Sequence, residues 1–371
     1  MSVSIGGSVI LNNISNDEKE HNKICGEGYK YRPAIMKSNG RVVVFGDIHG
    51  DYDLTIDLFT KSGLAKKDSN DNLIWTGEDT YVVQVGDQID RCRPSSYLSC
   101  DKKEATKNDE DSDLKIMELF NDLAEQAQKV GGDVISLLGN HELMNVQGNM
   151  NYVSYEGRQG FKNYRTEGGE LIKDGEEARI YRFQPGNDIA KMLGCSRMAT
   201  VIIDDNIYVH AGIVDGLINE IGLQGVNDFD RINMKIKKWL LGLIDEEYVT
   251  DIIKYSEYSM FWTRLLGSID PGLSLNHPKC LNSIDRVLKI FKVGAIVIGH
   301  TPQSFIKNDD INGTCSNRVI RTDNGSSKAF DSFDKNILNN KEKAYSRRTQ
   351  WLECNNGIFY VCDGSSKKIL N

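Results

Sequence analysis

The chain of 371 residues lacks a basic excess: 45 Lys and Arg stand against 53 Asp and Glu, a formal net charge of -8. That excludes a general nucleic-acid binder, which needs a basic stripe to neutralise phosphates, and leaves room only for a local basic pocket. No apolar run reaches the roughly eighteen residues of a membrane-spanning helix, so no membrane partner is expected. The opening stretch, MSVSIGGSVILNNISNDEKEH, has neither the basic flank nor the long apolar core of a secretory signal, and a cytoplasmic location is the expectation. Cys-x-x-Cys pairs are absent. The eight cysteines, at 25, 92, 100, 195, 280, 315, 354 and 362, therefore suggest neither a zinc ribbon nor a redox centre, and they read as reduced, buried or incidental thiols. There is no internal repeat.

What is present is enough apolar material, 39% of the chain, to build a substantial core. Apolar strands (VVVF at 42–45, YVVQV at 81–85, VISLL at 134–138, IYV at 207–209, AIVI at 295–298) alternate with amphipathic helices. One helix follows Asp51 or Asp53 as its cap. A second starts at Asp113 and places Leu114, Met117, Phe120, Leu123, Ala124 and Ala127 on one face, and NDIAKML reads as a short helix closed by Gly194. This interleaving predicts an α/β architecture with covered sheets. Residues 1–40 read as an arm or extra element and 41–330 as the main domain. An insertion facing the substrate falls at about 150–195, and strands at 331–371 complete the same domain. The charge runs near 100–113 and 334–348 read as solvated loops.

Each of the five strands ends in the same chemistry. VVVF runs into Gly46-Asp47-Ile48-His49, YVVQV into Gly86-Asp87-Gln88-Ile89-Asp90-Arg91, and VISLL into Gly139-Asn140-His141-Glu142. IYV runs into His210-Ala211-Gly212 and AIVI into Gly299-His300-Thr301. In α/β folds ligands bind at the carboxyl edge of the sheet, so residues distant in sequence converge there. Four of the six histidines follow such strands. The set suggests two metal ions, one held by Asp47, His49 and Asp87 and the other by Asp87, Asn140, His210 and His300, with Asp87 as the bridge. Imidazole and oxygen donors without thiolate suit Mn²⁺, Fe or Zn²⁺. A water between such ions would ionise near neutral pH and become a nucleophile. His141 would then be the general acid, with Asp90 orienting its ring and Arg91 offering a planar fork to two phosphoryl oxygens. A phosphate ester is the substrate that fits. Tyr152 and Tyr155, beyond this block, are placed to line a phosphate pocket, although packing is the first use expected of them.

GDIHG, GDQIDR, GNHE, HAG and GHT, in this order, resemble the blocks of the calcineurin-like metallophosphoesterases and, within them, the phosphoprotein phosphatase group. GNHELMNVQGNMNYV, MFWTR, GHTPQ and RVIRTDNGSS are most similar to the Shewanella-like protein phosphatases, over roughly residues 41–330. The resemblance implies two packed mixed β-sheets flanked by helices and a two-metal centre, often active with Mn²⁺. It also implies hydrolysis of phosphoserine, phosphothreonine or phosphotyrosine in a protein or peptide, and makes Arg264 a second phosphate-holding arginine. Because a related element occurs in bis-nucleosyl tetraphosphatases, hydrolysis of such nucleotides is the rival expectation, with a catalytically weak phosphate-binding scaffold a more distant one. The family usually has glycine after the Asp-Arg pair, where this chain has Cys92, so the turn that aims Arg91 is expected to differ.

Overall fold

The computed structural model describes residues 17–26, 28–306, 308, 310–331 and 347–370. The central strands are β-rich and apolar on both sides because they are covered on both faces. Arg41–Phe45, Tyr81–Gln84, Asp133–Leu137 and Arg197–Met198 run parallel, and Trp351–Asn355, Ile358–Cys362 and Lys367–Ile369 extend that sheet antiparallel to seven strands. The second sheet has six, in the order Ile35–Met36, Thr200–Ile203, Asn206–Val209, Ala295–Ile298, Val319–Arg321 and Asn312–Thr314.

Side-chain alternation along the strands sorts the core into three layers. Val42, Val44, Val83, Val85, Ile135 and Leu137 meet Val201, Ile203, Tyr208, Val297 and Ile320 between the sheets. Val43, Phe45, Val82 and Val134 face outward onto Leu54, Leu58, Ile116, Phe120 and Leu123 of the helices Tyr52–Lys61 and Asp113–Gln128. On the other side Ile202, Ile207, Val209, Ile296 and Ile298 face Phe229, Ile232, Ile236, Ile284 and Val287, from Asn227–Leu240 and Pro278–Phe291. The result is helix, sheet, sheet, helix, the mixed two-sheet architecture of calcineurin-like metallophosphoesterases.

Several local expectations change. Of the two candidate caps, Asp51 accepts the Leu54 N–H at the start of Tyr52–Lys61. The helix Asp188–Ser196 does not stop at Gly194: a Cβ there would lie 3.1 Å from Leu240 Cβ, so this glycine lets the helix approach Asn227–Leu240 closely. The reading of the cysteines as reduced thiols is corrected. Cys25 pairs with Cys195, Cys92 with Cys100 and Cys280 with Cys315, while Cys354 and Cys362 are free and buried. Two of these pairs join residues 170 and 35 positions apart, so tertiary structure, not local spacing, decides them. The first ties the helical residues 17–25 to Asp188–Ser196. Most of the proposed charged loop at 334–348, like the start of the proposed arm, lies outside the described residues. Among those described, no helix is long and apolar enough to cross a membrane.

Candidate active site

The strand ends expected to carry ligands meet at the carboxyl edges of both sheets, and the backbone there is held in rare conformations. His49, Asp87, Asp90 and His300 all have positive φ, from 48° to 71°. That region is strained for a residue with a side chain, so surrounding bonds must enforce it. The N–H groups of Ile48 and His49 both donate to the Asp87 carbonyl, and the His300 N–H donates to the Asp47 carboxylate at 3.0 Å. Gly139 precedes Asn140 because a Cβ on it would lie 2.1 Å from Asp87 Oδ1. Glu142, unremarked in the sequence beyond its motif, accepts the N–H groups of Asp87, Gln88 and Gly139 and so ties two strand ends together.

Asp47, His49, Asp87, Asn140, His210 and His300 are all buried and converge. Among the described residues two groups of metal-capable side chains share Asp87, one with His49 and His141 and one with His210 and His300, and Asp47 and Asn140 border them. Asp47 Oδ2 lies 3.8 Å from His49 Nε2. Asn140 Oδ1 and Asp87 Oδ2 lie 2.9 and 3.3 Å from His210 Nε2.

The imidazole orientations test whether these residues fit metal ions. His210 Nδ1 sits 2.9 Å from the Val85 carbonyl and His300 Nε2 sits 3.1 Å from that of Trp262, so each of those nitrogens carries the proton. Both rings then turn a lone pair toward the other across 3.2 Å. Two lone pairs facing each other beside a carboxylate repel unless a cation lies between them, and a hydrogen bond on the remote nitrogen is how metal-binding histidines are oriented. Burial, followed by the electrostatic influence of His210 and of the Arg264 guanidinium, holds His300 well below its ordinary pKa. Burial and Arg93 do the same to His49, leaving neutral rings of the kind metals require. Burial, then Asp323 and Asp87, pushes Asp47 well above the usual carboxylate range. Burial, with Asp87 nearby, lifts Asp323 to about 6 against the hydrogen bond from Gly325. Such crowding of buried carboxylates is relieved by divalent cations, and the donor set fits them.

Within the first cluster, His141 Nδ1 donates to Asp90 Oδ2 at 2.8 Å, and the residue lines the cavity. Asp90 is fixed in turn by Asn145 Nδ2 at 3.0 Å and by Arg179, whose guanidinium also reaches Asp113 at 2.8 Å and Asn145 Oδ1 at 2.8 Å. Arg179 is wholly buried between Phe161 and Phe183. Sequence reasoning missed Asn145, Arg179 and Asp323. Asn145 follows His141 by one helical turn, a spacing that could have flagged it; Arg179, in the helix Gly175–Phe183, carries no such signal.

The cavity over this floor measures about 880 Å³. Arg264 lines it and donates to the His300 carbonyl at 3.2 Å. Tyr152, for which packing and a place in the phosphate pocket were the two readings, both lines the cavity and meets the His141 ring edge-on at 4.9 Å. Arg91 is not brought to the cavity. Its guanidinium donates to the Gly50 carbonyl, to Glu110 and to the Asn108 carbonyl, and in this arrangement it is turned away from the place where a phosphoryl group would sit.

Fold and floor together define a phosphoesterase, and the family comparison agrees: residues 40–304 match the calcineurin-like phosphoesterase family, to which the chain belongs. It is similar to an uncharacterized protein of Acanthamoeba polyphaga mimivirus, 39% identical over 59% of this chain and 91% of that one. It is also similar to Shewanella-like protein phosphatase 2 of Arabidopsis thaliana, 28% identical over 78% and 72%, and to Shewanella-like protein phosphatase 1 of Plasmodium berghei, 26% identical over 79% and 68%. Among solved structures, a cold-active protein-tyrosine phosphatase of a psychrophilic Shewanella species superposes with a TM-score of 0.58, over 93% of this chain and 84% of that one. At 21% identity that likeness speaks for the fold alone.

Proposed function

We propose that the protein is a metal-dependent phosphatase that hydrolyses phosphomonoesters on a phosphorylated protein or peptide by direct attack of water, without a phospho-enzyme. The observation that carries this reading is the sharing of Asp87 between two buried donor clusters, with the His141–Asp90 pair alongside. Asp47, His49 and Asp87 would hold one divalent ion, and Asp87, Asn140, His210 and His300 the other. Manganese is favoured, with iron or zinc as alternatives for the same donors. When bound, such ions supply Lewis acidity and acidify a water.

The remaining steps belong to the protein. His141, fixed through Nδ1 by Asp90, presents Nε2 to protonate the departing oxygen. Arg264 supplies positive charge at the wall next to His300. The aromatic groups around the opening, Tyr255, Trp262 and Phe305, offer apolar surface to whatever carries the phosphate. Polypeptide substrates are supported by the similarity to two Shewanella-like protein phosphatases. The three disulfides favour an oxidising compartment over the cytoplasm expected from the sequence.

The test is turnover of p-nitrophenyl phosphate, phosphopeptides and diadenosine tetraphosphate by metal-stripped protein before and after Mn²⁺ is restored. For Asp87→Asn we expect turnover below detection together with loss of bound metal. Preference for the dinucleotide would transfer the assignment to nucleotide hydrolysis, and silence on every phosphoester with metal bound would sink it.

A further inference from the structure

Arg91 and Arg93 stand two residues apart, yet only the second reaches the cavity. Arg91 is held away from the cavity by the protein: Nη1 donates to the Gly50 carbonyl at 2.7 Å and to Glu110 at 2.6 Å, and Nη2 donates to the Asn108 carbonyl at 3.0 Å. Its Nε has no partner but is buried, and the side chain does not line the cavity, so the fork is not presented to a ligand there. Arg93 is the reverse case. Nη1 donates to the carbonyls of Asp90, at 3.0 Å, and of Cys92, at 2.8 Å. Among the described residues no carboxylate lies within ion-pair distance of Arg93, and Nε and Nη2 have no protein acceptor. The guanidinium lies 4.6 Å from the Phe330 ring centroid and 5.8 Å from that of Tyr152. Those two rings themselves abut His49 and His141, at 5.5 and 4.9 Å. The side chain is thereby held over the half of the floor where both histidines stand.

We propose that Arg93 is the phosphoryl-binding guanidinium of the His49–His141 wall, paired across the cavity with Arg264 and taking the part that the sequence assigns to Arg91. The inference rests on the phosphoesterase reading above and adds a binding residue to it. A planar fork with two uncommitted donors can take two equatorial phosphoryl oxygens at once, which an ammonium cannot do in the same geometry. A cation with no carboxylate partner, kept in place by aromatic faces and two carbonyls, is ready to take an anion without first breaking an ion pair.

The chain explains why the second arginine arrives where the first does not. Cys92 N–H donates to the Tyr152 carbonyl at 3.1 Å, and the Cys92 side chain is bonded to Cys100. Ser95 and Leu98 exchange backbone hydrogen bonds within the loop that this disulfide closes. The residue between the two arginines is therefore anchored by both its backbone and its side chain. Arg91 on one side goes toward Gly50 and Glu110, and Arg93 on the other goes toward the cavity.

The experiment uses the full chain loaded with Mn²⁺ and carrying Arg93→Met, which keeps the apolar stem between the two rings, or Arg93→Lys, which keeps the charge and loses the fork. Inorganic phosphate binding is read by calorimetry, metal content by elemental analysis, and kcat and KM with p-nitrophenyl phosphate. We expect Arg93→Met to weaken phosphate binding by about 10- to 100-fold, as for the loss of hydrogen bonds to a charged group. Metal content should be unchanged, and Arg93→Lys should recover only part of the loss. Phosphate affinity within twofold of wild type in Arg93→Met overturns the proposal. So does a larger loss from Arg91→Lys than from Arg93→Lys, which would return the role to Arg91. If Arg93→Met does not fold, the lysine variant decides alone: binding equal to wild type overturns the proposal, and about fivefold or weaker binding supports it. Wild-type protein that holds metal and binds no phosphate removes both this inference and the phosphoesterase reading. Wild-type turnover with an indifferent Arg93 removes this inference only.

Discussion

The floor of the cavity and its wall are built by opposite means. The metal-donor groups on the floor stand just past the ends of strands, and His49, Asp87 and His300 among them, together with Asp90, are held at positive φ by bonds between neighbouring strand ends. Each such residue costs about 1–3 kcal/mol in isolation, so the floor is a place where the fold spends stability on geometry. The wall is assembled from loops and a disulfide-closed turn: Arg93, Tyr152, Trp262, Arg264 and Phe330 hold position through ring faces and carbonyls. A floor of this kind tolerates no substitution, because one donor orients the next. The wall can change residue by residue, and so it is where substrate preference can be set.

The comparison is sharpest at His141. His141→Gln should retain both metal ions and lose about 10²- to 10⁴-fold in kcat on an alkyl phosphate, the usual contribution of a general acid. The loss should be much smaller on p-nitrophenyl phosphate, whose phenolate leaves without help. Measuring both substrates on one preparation checks this, and equal losses on both would remove His141 from the proton transfer.

Behind the floor, Arg179 neutralises Asp90 and Asp113 with all three side chains buried. Removing one partner of such a group leaves charge stranded in the interior. Arg179→Met should therefore cost about 3–5 kcal/mol in chemical denaturation. Activity should fall further than stability alone explains, because Asp90 would lose the donor opposite His141. A stable variant with full activity would show that Asn145 alone aligns Asp90.

On the wall the effects are smaller. Arg264 is exposed and held by a single hydrogen bond to the His300 carbonyl. Arg264→Ala should lower kcat/KM by about tenfold, the scale of one charge-assisted contact, with metal content unchanged. A loss of metal would instead make it a support for His300.

These contrasts track what could be read in the chain. The strand ends were legible because the signal is local, an apolar run followed at once by Asp, His or Asn, and the fold class followed from the same runs. His141 was legible beside Asn140. Arg179 was not, since its role depends on how an insertion packs against Asp90 some 89 residues away. Gly194 misled because glycine ends helices and also lets them touch. The disulfides escaped because spacing carries no information about pairs brought together by tertiary structure. Arg91 lies off the cavity, and the departure at Cys92 was the visible sign that its turn differs. A substitution shows that a turn differs, but where the neighbouring side chains then go depends on Tyr152 and Cys100.

The smallest effect lies farthest from the site, where residues 17–25 dock. His21 is buried, with Nε2 donating to the Tyr29 carbonyl at 2.7 Å and Nδ1 accepting from Lys237 at 2.6 Å. Burial and then the Lys237 ammonium lower its pKa from 6.5 to about 4. Above pH 6.5 the ring is neutral folded or unfolded and costs nothing. As pH falls from there toward 4, the unfolded chain binds a proton that the folded chain refuses, so stability declines across that window and levels off below it. His21→Gln keeps a donor and an acceptor without the titration, and should reduce the loss of Tm between pH 7 and pH 5 by on the order of 1–2 °C. An unchanged pH slope would mean that this helix detaches before His21 charges, and that Cys25–Cys195 alone keeps it near the domain.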